Sequence, residues 1–199
     1  MADDPFAQRL RLIGTLTRLF RERGWDLVVV GGSAVEFYTE GQYVSGDIDV
    51  CRRSGQRPIP PAIEREVMQS LGATSTGTRR QWKLGDVFID LLGEVETAPG
   101  PVFRELETPE GPIRLMPAED VLVERVFVAQ AQRPPQASTL AVARKMAVAA
   151  VAMGADFDWP KAYALAGSRD YDVEQPLRAL VAEVGAGGPK VRRKSRQAR

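Results

Sequence analysis

An apolar run, Leu27-Val28-Val29-Val30, leads straight into Gly31-Gly32-Ser33-Ala34. About fifteen residues later two aspartates stand with one residue between them, in Ser45-Gly46-Asp47-Ile48-Asp49-Val50. A strand places residues i and i+2 on one face, so Asp47 and Asp49 point the same way and Ile48 points to the other side. Two carboxylates that close repel each other unless something positive lies between them, and a divalent cation is the usual answer. The glycines, without a Cβ, let the chain turn sharply and bring backbone N–H groups up to a phosphate. A buried strand, a tight turn, a short helix and an acidic strand outline a site for phosphoryl or nucleotidyl transfer.

A third acid fits the same outline. Asp90 interrupts the apolar run Val87-Phe88-Ile89-Asp90-Leu91-Leu92, where an unpaired carboxylate is costly to bury. If this strand lies beside the Asp47–Asp49 strand, the three carboxylates converge and could hold two divalent ions about 3.5–4 Å apart. Asp90 is then placed to orient or deprotonate an attacking group. The chain has no histidine, which excludes a histidine general base and a Ser-His-Asp triad. Its single cysteine, Cys51, excludes an intrachain disulfide and argues against structural zinc.

Gly31-Gly32-Ser33, the Asp47-Ile48-Asp49 pair and the later Asp90 resemble the signature of the nucleotidyltransferase fold of the DNA polymerase β superfamily. The match covers roughly residues 26 to 92. Within that superfamily the chain looks most like small bacterial stand-alone members, including AbiEii-type toxins of toxin–antitoxin systems. The segment Leu115-Met116-Pro117-Ala118-Glu119-Asp120-Val121-Leu122 is similar to the junction at which their helical half begins. The resemblance implies an Mg²⁺-dependent transferase that moves NMP from an NTP such as ATP to an acceptor hydroxyl. Asp47, Asp49 and Asp90 would hold the metal, and Gly31, Gly32 and Ser33 would clasp the triphosphate. Relatives often carry a lysine on the helix after the junction; here Arg125, and later Arg144 and Lys145, stand where triphosphate-binding cations are expected. A cognate antitoxin is implied as a partner by the toxin likeness.

Several of these residues also have plainer readings. Gly31-Gly32 can be a simple strand-to-helix turn, and Ser33 an N-cap. Asp90 can be an interior acid paired with an arginine. Arg79, Arg80 and Lys83 can grip phosphate or RNA, or line a solvated hairpin. Trp82 and Tyr43 can stack on a base or pack in the core or at its rim. Glu36 reads as a surface acid, and Arg9, Arg11, Arg18, Arg21 and Arg23 as the solvated face of the first helix.

The pattern predicts an α+β protein with a nucleotidyltransferase-like mixed sheet flanked by helices. An α/β core spans 1–116, a helical half 117–185 and a basic tail 186–199. Asp4 and Pro5 start the first helix, Asp26–Val30 forms the first strand, Ser33–Tyr38 a short helix and 47–52 the acidic strand. Gly85-Asp86 is a hairpin signal between strands carrying Lys83 and Asp90. A short strand is expected at 102–106 and another at 113–116. Helices are expected at 117–131, 138–153, 158–167 and 171–184, with Ala141, Lys145, Val148 and Ala152 as a packing stripe.

The last eleven residues hold six basic residues and no acid; without them the body has 21 basic against 26 acidic residues, a net charge of −5. Such a tail either solubilises the terminus or attracts nucleic acid, and it favours RNA such as tRNA as the acceptor. An antibiotic-like small molecule is the alternative acceptor. A non-catalytic nucleotide- or partner-binding relative is the alternative role, and a glycosyltransferase is disfavoured because only 46 residues precede Asp47. No apolar run reaches the roughly 20 residues of a membrane span. With no signal-peptide pattern at the N-terminus, the expected location is the cytoplasm.

Overall fold

In the computed structural model, residues 4–131, 134 and 136–187 are described; the basic tail from 188 onward lies outside them. Helix α1, Pro5–Arg21, starts where the sequence predicts: Asp4 Oδ1 accepts from the Phe6 amide at 3.2 Å, and Pro5 lacks the N–H that a first-turn residue would leave unpaired. Its Ile13, Leu16 and Phe20 are fully buried. The strands are β1 (Leu27–Val29), β2 (Asp47–Arg52), β3 (Thr74–Ser75), β4 (Gln81–Leu84), β5 (Val87–Glu94), β6 (Arg104–Leu106) and β7 (Ile113–Leu115). Between them lie α2 (Gly31–Tyr38) and α3 (Pro61–Ser70). The chain then continues through α4 (Ala118–Gln130), α5 (Ala137–Met153), a short 3₁₀ turn at Gly154–Asp156, α6 (Trp159–Ala166) and α7 (Glu174–Gly187).

The seven strands form one mixed sheet in the order β3-β4-β5-β2-β1-β7-β6. The β2 strand is antiparallel to β1 and parallel to β5. Alternation turns Ile48, Val50, Ile89 and Leu91 into the core, each at most 3% exposed, and leaves Asp47, Asp49 and Asp90 together on the opposite face. Gly85-Asp86 closes the β4–β5 hairpin as expected, with Leu84 opposite Val87 and Gly85 at φ +59°.

Three expectations change in detail. Helix α2 begins at Gly31 rather than Ser33, so the glycines form its first turn. The last helix begins at Glu174 rather than 171, because Asp172 takes φ +50° and the Val173 amide turns back to the Ala166 carbonyl at 2.8 Å. On α5 the buried face is Ala143, Met146, Ala147 and Ala150, and Val148 is 51% exposed. The expected stripe contains Lys145, whose ammonium has to stay in water, so the helix rolls its all-apolar stripe inward instead.

Residues 137–156 form a 20-residue segment of mean hydropathy 1.2, long and apolar enough by composition to cross a membrane. This corrects the expectation that no apolar run reaches such a length. Arg144 and Lys145 sit within it, paired to Glu183 and the Gln42 carbonyl, and α5 packs against α4 and α7.

Candidate functional site

The parallel register of β2 and β5 sets Asp49 directly beside Asp90, with Asp47 opposite Phe88 one pleat earlier. One carboxylate oxygen from each of the three lies within 4.8 Å of the others. The cost of this arrangement is visible at Asp49, whose carboxyl is pushed up from 3.8 to about 6. Burial is the largest cause, followed by the charges of Asp47 and Asp90; Arg125 opposes the rise and Glu124 reinforces it. Three carboxylate oxygens converging on one point could hold a metal ion.

The glycine turn lies against these carboxylates. Gly31 adopts φ +59°, and a Cβ there would sit 3.0 Å from Asp49 Oδ2. At Gly32 a Cβ would come within 2.8 Å of Ser45 Oγ and 3.3 Å of the Tyr43 hydroxyl. Both positions therefore admit glycine alone without displacement. Val30 caps α2 without a side-chain hydrogen bond, and first-turn amides have no partner inside a helix. The amides of Gly31, Gly32 and Ser33 thus begin a helix beside the acidic cluster, in the arrangement that binds phosphate.

Ser33 is not the N-cap. Its hydroxyl donates to the Asp47 carbonyl and accepts from the Asp49 amide, both at 2.9 Å, and so fastens α2 to the acidic strand. Two residues that read as surface groups in the sequence are likewise structural parts of the site. Glu36 is 1% exposed and forms a 3.0 Å ion pair with Arg9. Arg9 in turn donates to the Asp47 carbonyl at 2.5 Å, and the Ser45 amide donates to Glu36 Oε2 at 3.0 Å. Helix α2 is buried on all sides, so no solvated face exists to receive the charge of Glu36, and no local sequence signal marks it.

The remaining candidates separate into near and far. Arg125 acts on Asp49 electrostatically and is ion-paired to its neighbour Glu124. Lys83 lies opposite Phe88, its ammonium 5.7 Å from that ring's centre, two residues along β4 from the Gln81–Asp90 pair. Tyr43 lines a cavity of about 240 Å³ with Arg125, Ser138 and Thr139. Trp82 is 7% exposed and donates to Glu64 at 2.9 Å, so it is a core residue and offers no stacking surface. Arg144 pairs with Glu183 at 2.7 Å and lines a larger cavity, about 900 Å³, with Arg104, Lys145 and Tyr38. None of the three aspartates lines that cavity.

No family model and no curated protein matches the sequence. Solved structures do match. The antibiotic-resistance factor ANT(2'')-Ia in solution superposes with a TM-score of 0.56 at 17% identity, over 91% of this chain and 97% of that one. ANT(2'')-Ia in complex with adenylyl-2''-tobramycin gives 0.53 at 17% identity, over 90% and 98%. An antigenic nucleotidyltransferase-like protein from Paracoccidioides brasiliensis gives 0.55 at 13% identity, over 90% and 94%. The mixed seven-stranded sheet with its flanking helices is a nucleotidyltransferase-like fold.

Proposed function

We propose that the protein is an Mg²⁺-dependent nucleotidyltransferase that moves NMP from an NTP to an acceptor hydroxyl. The observation that carries this reading is the convergence of Asp47, Asp49 and Asp90 against the Gly31–Gly32 turn on one face of the sheet. Asp47 and Asp49 would hold the metal that binds the nucleotide, and Asp90 would complete the site toward the acceptor. The first-turn amides of α2 cradle the triphosphate, and Arg125 and Lys83 supply cations at its edge. The acceptor oxygen attacks the α-phosphorus, the bond to pyrophosphate breaks, and Asp90 takes the hydroxyl proton. Bound Mg²⁺ supplies charge neutralisation at the triphosphate, which is why positioning suffices and no histidine is required. Arg144, held by Glu183 beside the separate cavity, receives no phosphate role.

For the acceptor, a small hydroxyl compound that is neutral or cationic fits the surroundings better than a polyanion. The charges of Asp47, Asp90 and Glu124 act together on Asp49 against the single opposing charge of Arg125, so the carboxylate site is negative. The similarity to a structure holding adenylyl-2''-tobramycin supports the same choice. RNA such as tRNA as the acceptor rests on the basic tail outside the described residues, and a toxin role with a cognate antitoxin rests on the AbiEii likeness alone. The test is incubation with each α-³²P-labelled NTP, Mg²⁺ and either total tRNA or a panel of amino-sugar antibiotics. Label on a small acceptor, lost with chelator or in Asp90→Asn, supports the proposal. Label on tRNA moves the acceptor to RNA. No transfer to any acceptor, together with calorimetric NTP binding, turns the assignment to a non-catalytic binder.

A further inference from the structure

We propose that Arg9 and Glu36 are positioning residues for Asp47, Arg9 acting on its carbonyl and Glu36 through Ser45; this rests on the metal-binding reading above. The starting point is a cost. Glu36 is 1% exposed and the Arg9 side chain 11%, yet a buried ion pair seldom stabilises a fold more than an apolar pair of the same size. Glu36 Oε1 is also buried without a hydrogen-bond partner, a penalty that a purely structural pair has no reason to carry.

The contacts of the pair show where it acts. Both residues address the short turn that ends at Asp47. Arg9 donates to the Asp47 carbonyl at 2.5 Å, joining the 2.9 Å bond that the same oxygen accepts from Ser33. Glu36 Oε2 accepts from the Ser45 amide at 3.0 Å, and the Ser45 hydroxyl donates to Asp47 Oδ1 at 3.1 Å. The backbone of Asp47 is thereby held from α1 and α2, and the plane of its carboxylate is set by Ser45. Gly46, between them, has open space where a Cβ would stand, so no side chain at that position packs against the turn. Remove the charge of Glu36 and the Ser45 hydroxyl loses its fixed base; the Asp47 carboxylate then samples orientations that no longer converge with Asp49 and Asp90. This is the relation of an outer hydrogen-bonding shell to a metal ligand.

The experiment measures Mn²⁺ binding alone, by calorimetry or by loss of the free-ion paramagnetic signal, with thermal unfolding of each variant alongside. The proteins are wild type, Glu36→Gln, Ser45→Ala and Asp47→Asn. Glu36→Gln and Ser45→Ala are expected to weaken Mn²⁺ roughly 10-fold, the usual effect of losing an outer-shell partner, and Asp47→Asn to weaken it more. A purely structural role would lower the melting temperature of Glu36→Gln and leave Mn²⁺ affinity of the folded protein untouched. Wild-type Mn²⁺ affinity in both Glu36→Gln and Ser45→Ala, with Asp47→Asn impaired, overturns the positioning role and leaves the metal site standing. Wild-type affinity in Asp47→Asn overturns the metal site itself, and the positioning role with it. Should Glu36→Gln fail to fold, Ser45→Ala decides, because it alters neither buried charge.

Discussion

Replacing Asp49 with asparagine is expected to make the metal-free protein more stable while abolishing its metal response. The Asp49 carboxyl rises from 3.8 to about 6 because burial and the charges of Asp47 and Asp90 disfavour its ionised form. A folded-state value above the unfolded one means that folding favours the protonated acid. Stability from this group is therefore whole below about pH 4 and is lost as pH rises through 6. The full loss at pH 7 corresponds to about 3 kcal/mol. Asparagine keeps the shape and carries no charge, so it escapes that loss. The gain of Asp49→Asn over wild type should open between about pH 4 and pH 6 and stay flat above pH 7. For a chain of this size about 3 kcal/mol amounts to roughly 6–12 °C in melting temperature, an upper figure because the asparagine amide also has to be accommodated. Differential scanning calorimetry in chelator from pH 4 to pH 8 measures it. Adding Mg²⁺ should raise the wild-type melting temperature and close the gap, since a cation does for Asp49 what neutralisation does for asparagine. A variant equal to or less stable than wild type across the whole range would show that the three carboxylates do not strain the fold, and would remove the reason for a cation between them.

Gly32→Ala should cut nucleotide transfer by at least roughly 10-fold, because its methyl would lie 2.8 Å from Ser45 Oγ and push that hydroxyl off Asp47; steady-state kinetics at saturating Mg²⁺ would register it. Ser33→Ala removes both bonds between α2 and β2 and should cost about 1–3 kcal/mol in urea unfolding, with transfer reduced in parallel. Trp82→Phe leaves the buried Glu64 without its 2.9 Å donor and should lower stability by about 1–3 kcal/mol. That variant should keep wild-type Mn²⁺ affinity, which separates core damage from damage to the site.

The acidic triad is legible in the sequence because each part of it is local. A strand's period of two places Asp47 with Asp49, an acid inside an apolar run marks Asp90, and glycines after a strand mark a turn. The hairpin at Gly85-Asp86 and the cap at Asp4 are readable for the same reason. Other residues take on roles that their neighbours in sequence do not signal, because their surroundings come from elsewhere in the chain. Arg9 shares its helix with other arginines, and nothing within α1 tells which of them turns inward toward Asp47. Glu36 follows five apolar or small residues, and its charge suggests a surface, yet α1 and the Ser45 turn close over it. Ser33 has the residue type of a cap, but the strand beside it takes up both of its hydrogen bonds.

What the sequence determines by itself is the set of chemical groups and their order along the chain: three carboxylates, a glycine pair after an apolar run, and no histidine to take the proton. Tertiary structure decides which groups meet. The parallel pairing of β2 with β5 brings Asp49 beside Asp90 across 41 positions of sequence. It also turns Trp82 into the core and leaves Arg144 at a different cavity. The physical reason is that periodicity and turn chemistry act over a few residues. Strand register, the partner of a buried charge and the strain on a shared carboxylate site arise only when distant segments exclude water together.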